Sequence, residues 1–170
     1  YCGAPGPPRL WAGPPDAAGT APGTPRAAVA GSYTVTAVAG GVTLGQRPVV
    51  TVVAGPVDDD ASTITAAPAS IVANSGASLV TVTARDAFGN PVGGAPVLLA
   101  TTGTNVSLGT PAGSTDSRGV FTSTLSSTDP QQLIVTASVG GTILVETAGI
   151  TVTAAGSGGT IGQALLTSGH

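Results

Sequence analysis

Residues 33–55 and 133–155 of this chain carry nearly the same sequence, one hundred positions apart. The first reads Tyr-Thr-Val-Thr-Ala-Val-Ala-Gly-Gly-Val-Thr-Leu and continues to Val-Val-Thr-Val-Val-Ala-Gly. The second reads Leu-Ile-Val-Thr-Ala-Ser-Val-Gly-Gly-Thr-Ile-Leu and continues to Gly-Ile-Thr-Val-Thr-Ala-Ala. Aligned without a gap, nine of the 23 positions are identical, among them Gly40/Gly140, Gly41/Gly141 and Leu44/Leu144. Self-similarity at a fixed period constrains architecture more than any local propensity. A period near one hundred exceeds the ~20–50 residues of solenoid repeats and matches the ~100 residues of a two-sheet sandwich. The chain reads as a tandem array of β-domains, with one copy whole and one partial.

The repeated segment is itself a strand pair. Tyr33, Val35, Ala37 and Ala39 fall on one face of an extended chain, with Thr34, Thr36 and Val38 on the other. Gly40-Gly41 suits a two-residue hairpin turn, and the return strand runs to about Ala54, interrupted by Gly45 and Pro48. An isolated hairpin is marginal in water, so residues 31–56 are expected to be mobile or to lean on something.

Residues 57–155 hold the complete domain. Ser62–Ala66 and Ala69–Ala73 form a first strand broken at Pro68, which only a sheet edge tolerates. Leu79–Arg85 turns Val80, Val82 and Ala84 inward, and Val97–Thr101 and Val106–Leu108 follow. Val120–Thr128 places Phe121 and Leu125 on one face, and Leu133–Val139 does so with Leu133, Val135, Ala137 and Val139. Thr142–Val145 and Ile150–Ala154 complete the set. Short alternating strands with frequent turn signals indicate an all-β, immunoglobulin-like β-sandwich of seven to eight strands.

The flanks differ in kind. Residues 1–30 are rich in Pro, Gly and Ala; proline lacks the donor a ladder needs, so a disordered linker is expected there, without a match to residues 101–130. Residues 156–170 read as a Gly/Ser-rich linker or tail. Between the copies, Asp58, Asp59 and Asp60 follow Gly55-Pro56. They are weak candidates for a calcium site at a domain junction, and more simply a solvated, self-repelling linker.

Composition narrows the function classes. Charged residues are 8% and aromatics 3%, the net charge is −3, and no basic cluster exists to neutralise a phosphate backbone. Nucleic acid is therefore not expected as a partner. No run approaches the roughly 18–20 apolar residues of a membrane span. Cys2 is the only cysteine, so no intrachain disulfide can staple the sandwich. With Tyr1 first and no Met, the sequence is expected to be a piece of a longer protein.

Three segments carry a family resemblance. They are Ala84-Arg85-Asp86-Ala87-Phe88-Gly89-Asn90-Pro91-Val92-Gly93-Gly94-Ala95-Pro96-Val97, Thr115-Asp116-Ser117-Arg118-Gly119-Val120-Phe121, and Val135-Thr136-Ala137-Ser138-Val139. In order and spacing they resemble the bacterial immunoglobulin-like repeat of the invasin and intimin type, over about 95 of the 170 residues. The physical content of these motifs is turn chemistry. Gly89, Gly94 and Gly119 free the backbone, Pro91 biases Asn90 toward extended geometry, and Asp116 can accept amides of its own turn. Asp86 is a candidate for an ion pair with Arg85 or Arg118.

Catalytic constellations are not found. The only histidine is His170, and the carboxylates Asp86, Asp116, Asp129 and Glu146 sit in or beside turns. No cofactor motif is present. The resemblance implies a structural spacer of a bacterial cell-surface adhesin, extracellular, with neighbouring repeats of the same chain as its partners. Any host or neighbouring-cell protein or glycan would be contacted through other domains. The alternative is an accessory or carbohydrate-binding module of a secreted polysaccharide-active enzyme.

Overall fold

Period-two alternation and paired glycines build strands and tight turns, and the computed structural model of the chain describes residues 16–23 and 26–156. The expectations for residues 1–15 and 157–170, with Cys2 and His170, lie outside the described residues. Among the described residues there is no helix, and none long and apolar enough to cross a membrane.

The N-terminal part holds β1 (Gly31–Thr34), β2 (Val38–Ala39), β3 (Val42–Thr43) and β4 (Val49–Val52). β1 pairs antiparallel with β4, and β2 with β3. The body follows with β5 (Thr63–Ala67), β6 (Ser70–Val72), β7 (Ser78–Thr83), β8 (Pro96–Thr101) and β9 (Val106–Leu108). It closes with β10 (Ala112–Ser114), β11 (Val120–Ser127), β12 (Gln131–Val139), β13 (Thr142–Ile143) and β14 (Ala148–Thr153). One sheet runs β10-β8-β12-β14-β6 with β13 on β12, and the other runs β5-β7-β11-β9.

The break at Pro68 is where the chain changes sheets. β5 edges one sheet and β6 the other, where it lies parallel to β14. Proline's missing donor faces no ladder there, and the buried Ser78 hydroxyl donates to the Pro68 carbonyl at 2.8 Å. The body is the expected all-β sandwich, in ten strand segments, nine of which correspond to the stretches read from the sequence. The unforeseen one is β10, whose Ala-Gly-Ser carries no β-branched residue and is exposed throughout. It exists because β8 offers it an open edge.

The core lies between the two sheets. Ile64, Val80, Val82 and Leu125 meet Leu99, Leu133, Val135, Ile150 and Val152, all buried. Burial of this kind stabilises each large side chain by about 1.5–3 kcal/mol. Every inward residue expected on β7, β11 and β12 is in this cluster.

The partial copy repeats the register of the whole one. Gly31, Ser32, Tyr33 and Thr34 face Val52, Thr51, Val50 and Val49, as Gln131, Gln132, Leu133 and Ile134 face Val152, Thr151, Ile150 and Gly149. Val38 and Ala39 face Thr43 and Val42, as Ser138 and Val139 face Ile143 and Thr142. The connecting turns agree too, with φ of 55° and 80° at Gly40-Gly41 and 61° and 88° at Gly140-Gly141.

Candidate functional site

The residues that join the two copies gather at the end of the sandwich where the connector enters. This end holds the loops that precede β8 and β11, the Gly140-Gly141 turn and Val57; a Cβ on Gly140 would touch Val57 at 3.5 Å. Two of its loops are one local structure made twice. In Asp86-Ala87-Phe88-Gly89-Asn90, the Asp86 amide donates to the Asn90 carbonyl (3.0 Å) and the Gly89 amide to the Asp86 carbonyl (2.8 Å). In Asp116-Ser117-Arg118-Gly119-Val120 the corresponding bonds are 2.8 and 2.9 Å. Each aspartate Oδ1 accepts the amides two and four residues on, at 2.8–2.9 Å. Each turn closes on a glycine with φ of 81° (Gly89) or 76° (Gly119), a region that penalises a Cβ. A Cβ on Gly119 would also collide with the Ala84 carbonyl oxygen.

The same turn occurs a third time, at Asp16-Ala17-Ala18-Gly19-Thr20. There the Asp16 amide bonds the Thr20 carbonyl at 3.0 Å, and Asp16 Oδ1 accepts the amides of Ala18 and Thr20. Asp16 and Gly19 stand one hundred positions before Asp116 and Gly119, as Ala12 and Gly13 stand before Ala112 and Gly113. The expectation that residues 1–30 match nothing in 101–130 fails at this point. In the sequence, Pro14, Pro15, Pro22 and Pro25 flank this segment and hide the correspondence.

What separates the turns is their surroundings. Asp116 is exposed, and its carboxyl is held below the usual carboxylate range by the Val120 amide, against an opposing effect of burial, with further help from the Arg118 amide and charge. Asp86 is buried, 2% exposed. Burial alone would push its carboxyl up, but four donors outweigh it. They are the Asn90 side chain and the backbone amides of Gly55, Asn90 and Phe88, and they hold the pKa at about 2. All of the roughly four lone-pair sites of a carboxylate are thereby filled. The expected ion pair is replaced: Asp86 is met by neutral N–H groups, and Arg85 Nη1 donates instead to the Gly89 carbonyl at 2.8 Å.

Asn90 extends the contact. Its Nδ2 donates to Asp86 Oδ2 and to the Ala28 carbonyl, and its Oδ1 accepts the Ala30 amide, each at 2.8 Å. The Gly55 amide donates to Asp86 Oδ2, also at 2.8 Å. Both ends of the preceding hairpin, before β1 and after β4, are therefore bonded to one buried Asp–Asn pair. The hairpin does lean on something.

Pro91 sets the return of this loop, with a single antiparallel bridge to Arg85 and the Val92 amide on the Ala84 carbonyl at 3.0 Å. Gly94, at φ 75°, gives its amide to the Thr115 carbonyl. Thr115, which opens the second motif segment, and Ser62, which the sequence did not single out, complete the frame. Buried Thr115 donates its hydroxyl to the Val92 carbonyl (2.7 Å) and accepts the Ala95 amide (3.0 Å), tying the two aspartate turns together. Buried Ser62 exchanges two bonds with the Arg85 backbone. An isolated Ser such as Ser62, in a sequence rich in serine, gives no signal of this.

Asp58, Asp59 and Asp60 form a turn. Asp58 Oδ1 takes the Ala61 amide at 2.9 Å, its carbonyl takes the Ser62 amide, and its own amide reaches the Arg85 carbonyl. Among the described residues, no group of three or more His, Cys, Asp or Glu side chains is placed to hold a metal ion. Asp129 accepts from Asn105 Nδ2 (2.8 Å), and Glu146 accepts the Ile64 amide (3.3 Å). No buried side-chain polar atom among the described residues lacks a hydrogen-bond partner.

The family described as invasin domain 3 matches residues 58–155. The chain belongs to this family. Invasin, solved as a bacterial integrin-binding protein, is similar at 29% identity with a TM-score of 0.56, over 83% of this chain and 28% of that one. The Escherichia coli adhesin FdeC is similar at 27% identity with a TM-score of 0.60, over 74% of this chain and 41% of that one. Yersinia pseudotuberculosis InvD shares the fold at 23% identity and a TM-score of 0.67, over 87% of this chain and 45% of its own. This chain spans less than half the length of each of these structures. No curated protein matches it. As an adhesin-related immunoglobulin-like domain of the invasin type, residues 58–155 contain both aspartate turns and the Asp86–Asn90 pair.

Proposed function

We propose that this chain is a stiff spacer segment of a bacterial surface adhesin, carrying no chemistry of its own. Residues 57–155 are one complete repeat, and residues 31–56 are the closing strands of the repeat before it. The observation that carries the reading is the joint: three hydrogen bonds link the two ends of the preceding hairpin, at Ala28, Ala30 and Gly55, to a buried, fully engaged Asp86–Asn90 pair. A sandwich held in this way to its neighbour transmits position. β12 is nine residues long, and at ~3.3 Å per residue each repeat adds about 30 Å of length plus loops. The likeness to FdeC and invasin supports a place outside the cell, on the bacterial surface. Contact with a host or neighbouring-cell protein or glycan belongs to other domains of the protein.

The test is deletion of residues 57–155 from the protein as displayed on its cell. Adhesion should survive with a shorter reach, read as a shorter rupture length in force spectroscopy. Loss of adhesion at unchanged display would overturn the spacer. Reproducible binding of the 170-residue chain on a glycan array would favour a carbohydrate-binding module instead.

A further inference from the structure

The Asp86–Asn90 pair does more than shape its own loop, as comparison with its twin shows. The Asp116 turn at the same end of the sandwich has the same backbone bonds and the same glycine, yet its aspartate is exposed and carries no second set of donors. The Asp86 turn has Asn90 where the other has Val120. That exchange adds an amide that bonds inward to Asp86 and outward to Ala28 and Ala30. On the hairpin side every bonded atom is backbone: the Ala28 carbonyl and Ala30 amide before β1 and the Gly55 amide after β4. We infer that Asp86 and Asn90 form an inter-repeat clasp, a docking notch whose partner is the main chain at the tail end of the preceding repeat.

Two properties follow from the chemistry. The notch reads main-chain atoms, so the preceding repeat needs free donors and acceptors at the right places and no particular side chains. The pair grips the two ends of a hairpin at once, so it resists both bending and twisting of the joint, which a single bond could not. By the hundred-residue offset, the groups that residues 57–155 would offer a following repeat are the second lone pair of the Thr128 carbonyl, which already accepts Asn74 Nδ2 at 3.2 Å, and the Ala155 amide, while Pro130 replaces Ala30 and has no amide to give. A joint downstream therefore has one donor fewer than the joint seen here.

The inference rests on the tandem-repeat reading and deepens it, and the two fail separately. Loss of adhesion on deleting a repeat would sink the spacer and leave the clasp standing, whereas the clasp is read within this chain alone. The experiment measures residual dipolar couplings on the 170-residue chain, comparing residues 31–52 with residues 57–155. In the unaltered chain both should fit one alignment tensor. The double variant Ala30→Pro, Gly55→Pro removes both backbone donors at the ends of the hairpin and changes no residue of the sandwich; proline already occupies the position equivalent to Ala30. It should split the two regions into independent tensors while the spectrum of residues 57–155 is retained. Asn90→Ala should do the same from the other side, and Asp116→Asn, at the twin turn, should leave one tensor. Independent tensors in the unaltered chain, or a single tensor retained in both clasp variants, would overturn the inference.

Discussion

The hairpin at 31–52 and its counterpart at 131–152 have the same pairing and opposite surroundings. In the body, Leu133, Val135, Ile150 and Val152 are buried against the other sheet. In the partial copy, Tyr33, Val35, Val50 and Val52 are half-buried, and Ala37 and Ala39 are exposed. Leu44 is 47% exposed where Leu144 is 3%. Alternation and a Gly-Gly turn are local instructions, and they set the register in both places. Burial is supplied by the rest of the sandwich. β12 also shows what is lost without it: residues 135–139 pair with β8, and beside residues 35–37 no such strand stands among the described residues, so the equivalent stretch divides into β1 and β2. The two aspartate turns teach the same lesson at smaller scale, with one local structure either exposed or locked under a connector.

Leucine truncation should separate the copies most. Leu144→Ala should destabilise the chain by about 2–5 kcal/mol, while Leu44→Ala should cost less than about 0.5 kcal/mol. Urea unfolding of the two variants checks this, and equal effects would mean that the hairpin has a core of its own.

Next come the aspartates. Asp86→Ala leaves buried donors without their acceptor and should cost roughly 2–3 kcal/mol. Asp116→Ala faces solvent and should cost clearly less, by the same unfolding measurement. The acid limb sharpens the contrast. Asp86 has its carboxyl lowered from 3.8 to about 2, so its contribution is fully present above pH ~4 and is lost as pH falls from about 4 toward 2, amounting to about 2 kcal/mol. Asp116 is shifted in the same direction. Asp86→Asn should therefore flatten the acid limb of stability against pH more than Asp116→Asn does. The turn glycines give the narrowest contrast between the two turns. Gly89→Ala should cost about 1–2 kcal/mol for its positive φ alone, and Gly119→Ala more, since Ala84 stands in the way.

Much of the fold was legible because its instructions are local. Inward Val80, Val82, Phe121 and Leu125 follow from period two, and the edge position of the Pro68 break follows from a missing donor. β10 was not legible, since Ala112-Gly113-Ser114 has no strand character until β8 lies beside it. The motif residues were recognisable as turn formers, but the role of Asp86 was misread as ionic. Nothing in the sequence near Asp86 shows that its strongest partners include an amide 31 residues away. The bond from Asn90 back to Ala28 spans 62 residues and depends on the connector's whole path. The Asp16 turn was hidden for the opposite reason, its short signal being surrounded by prolines that argue for linker.

Whether both ends of the hairpin are bonded to the sandwich is answered most directly by amide hydrogen exchange, read by NMR on the whole chain. Ala30 and Gly55 should exchange much more slowly than Gly40 and Gly41, the exposed turn residues of the same hairpin. Exchange at Ala30 and Gly55 as fast as in that open turn would contradict this bonding.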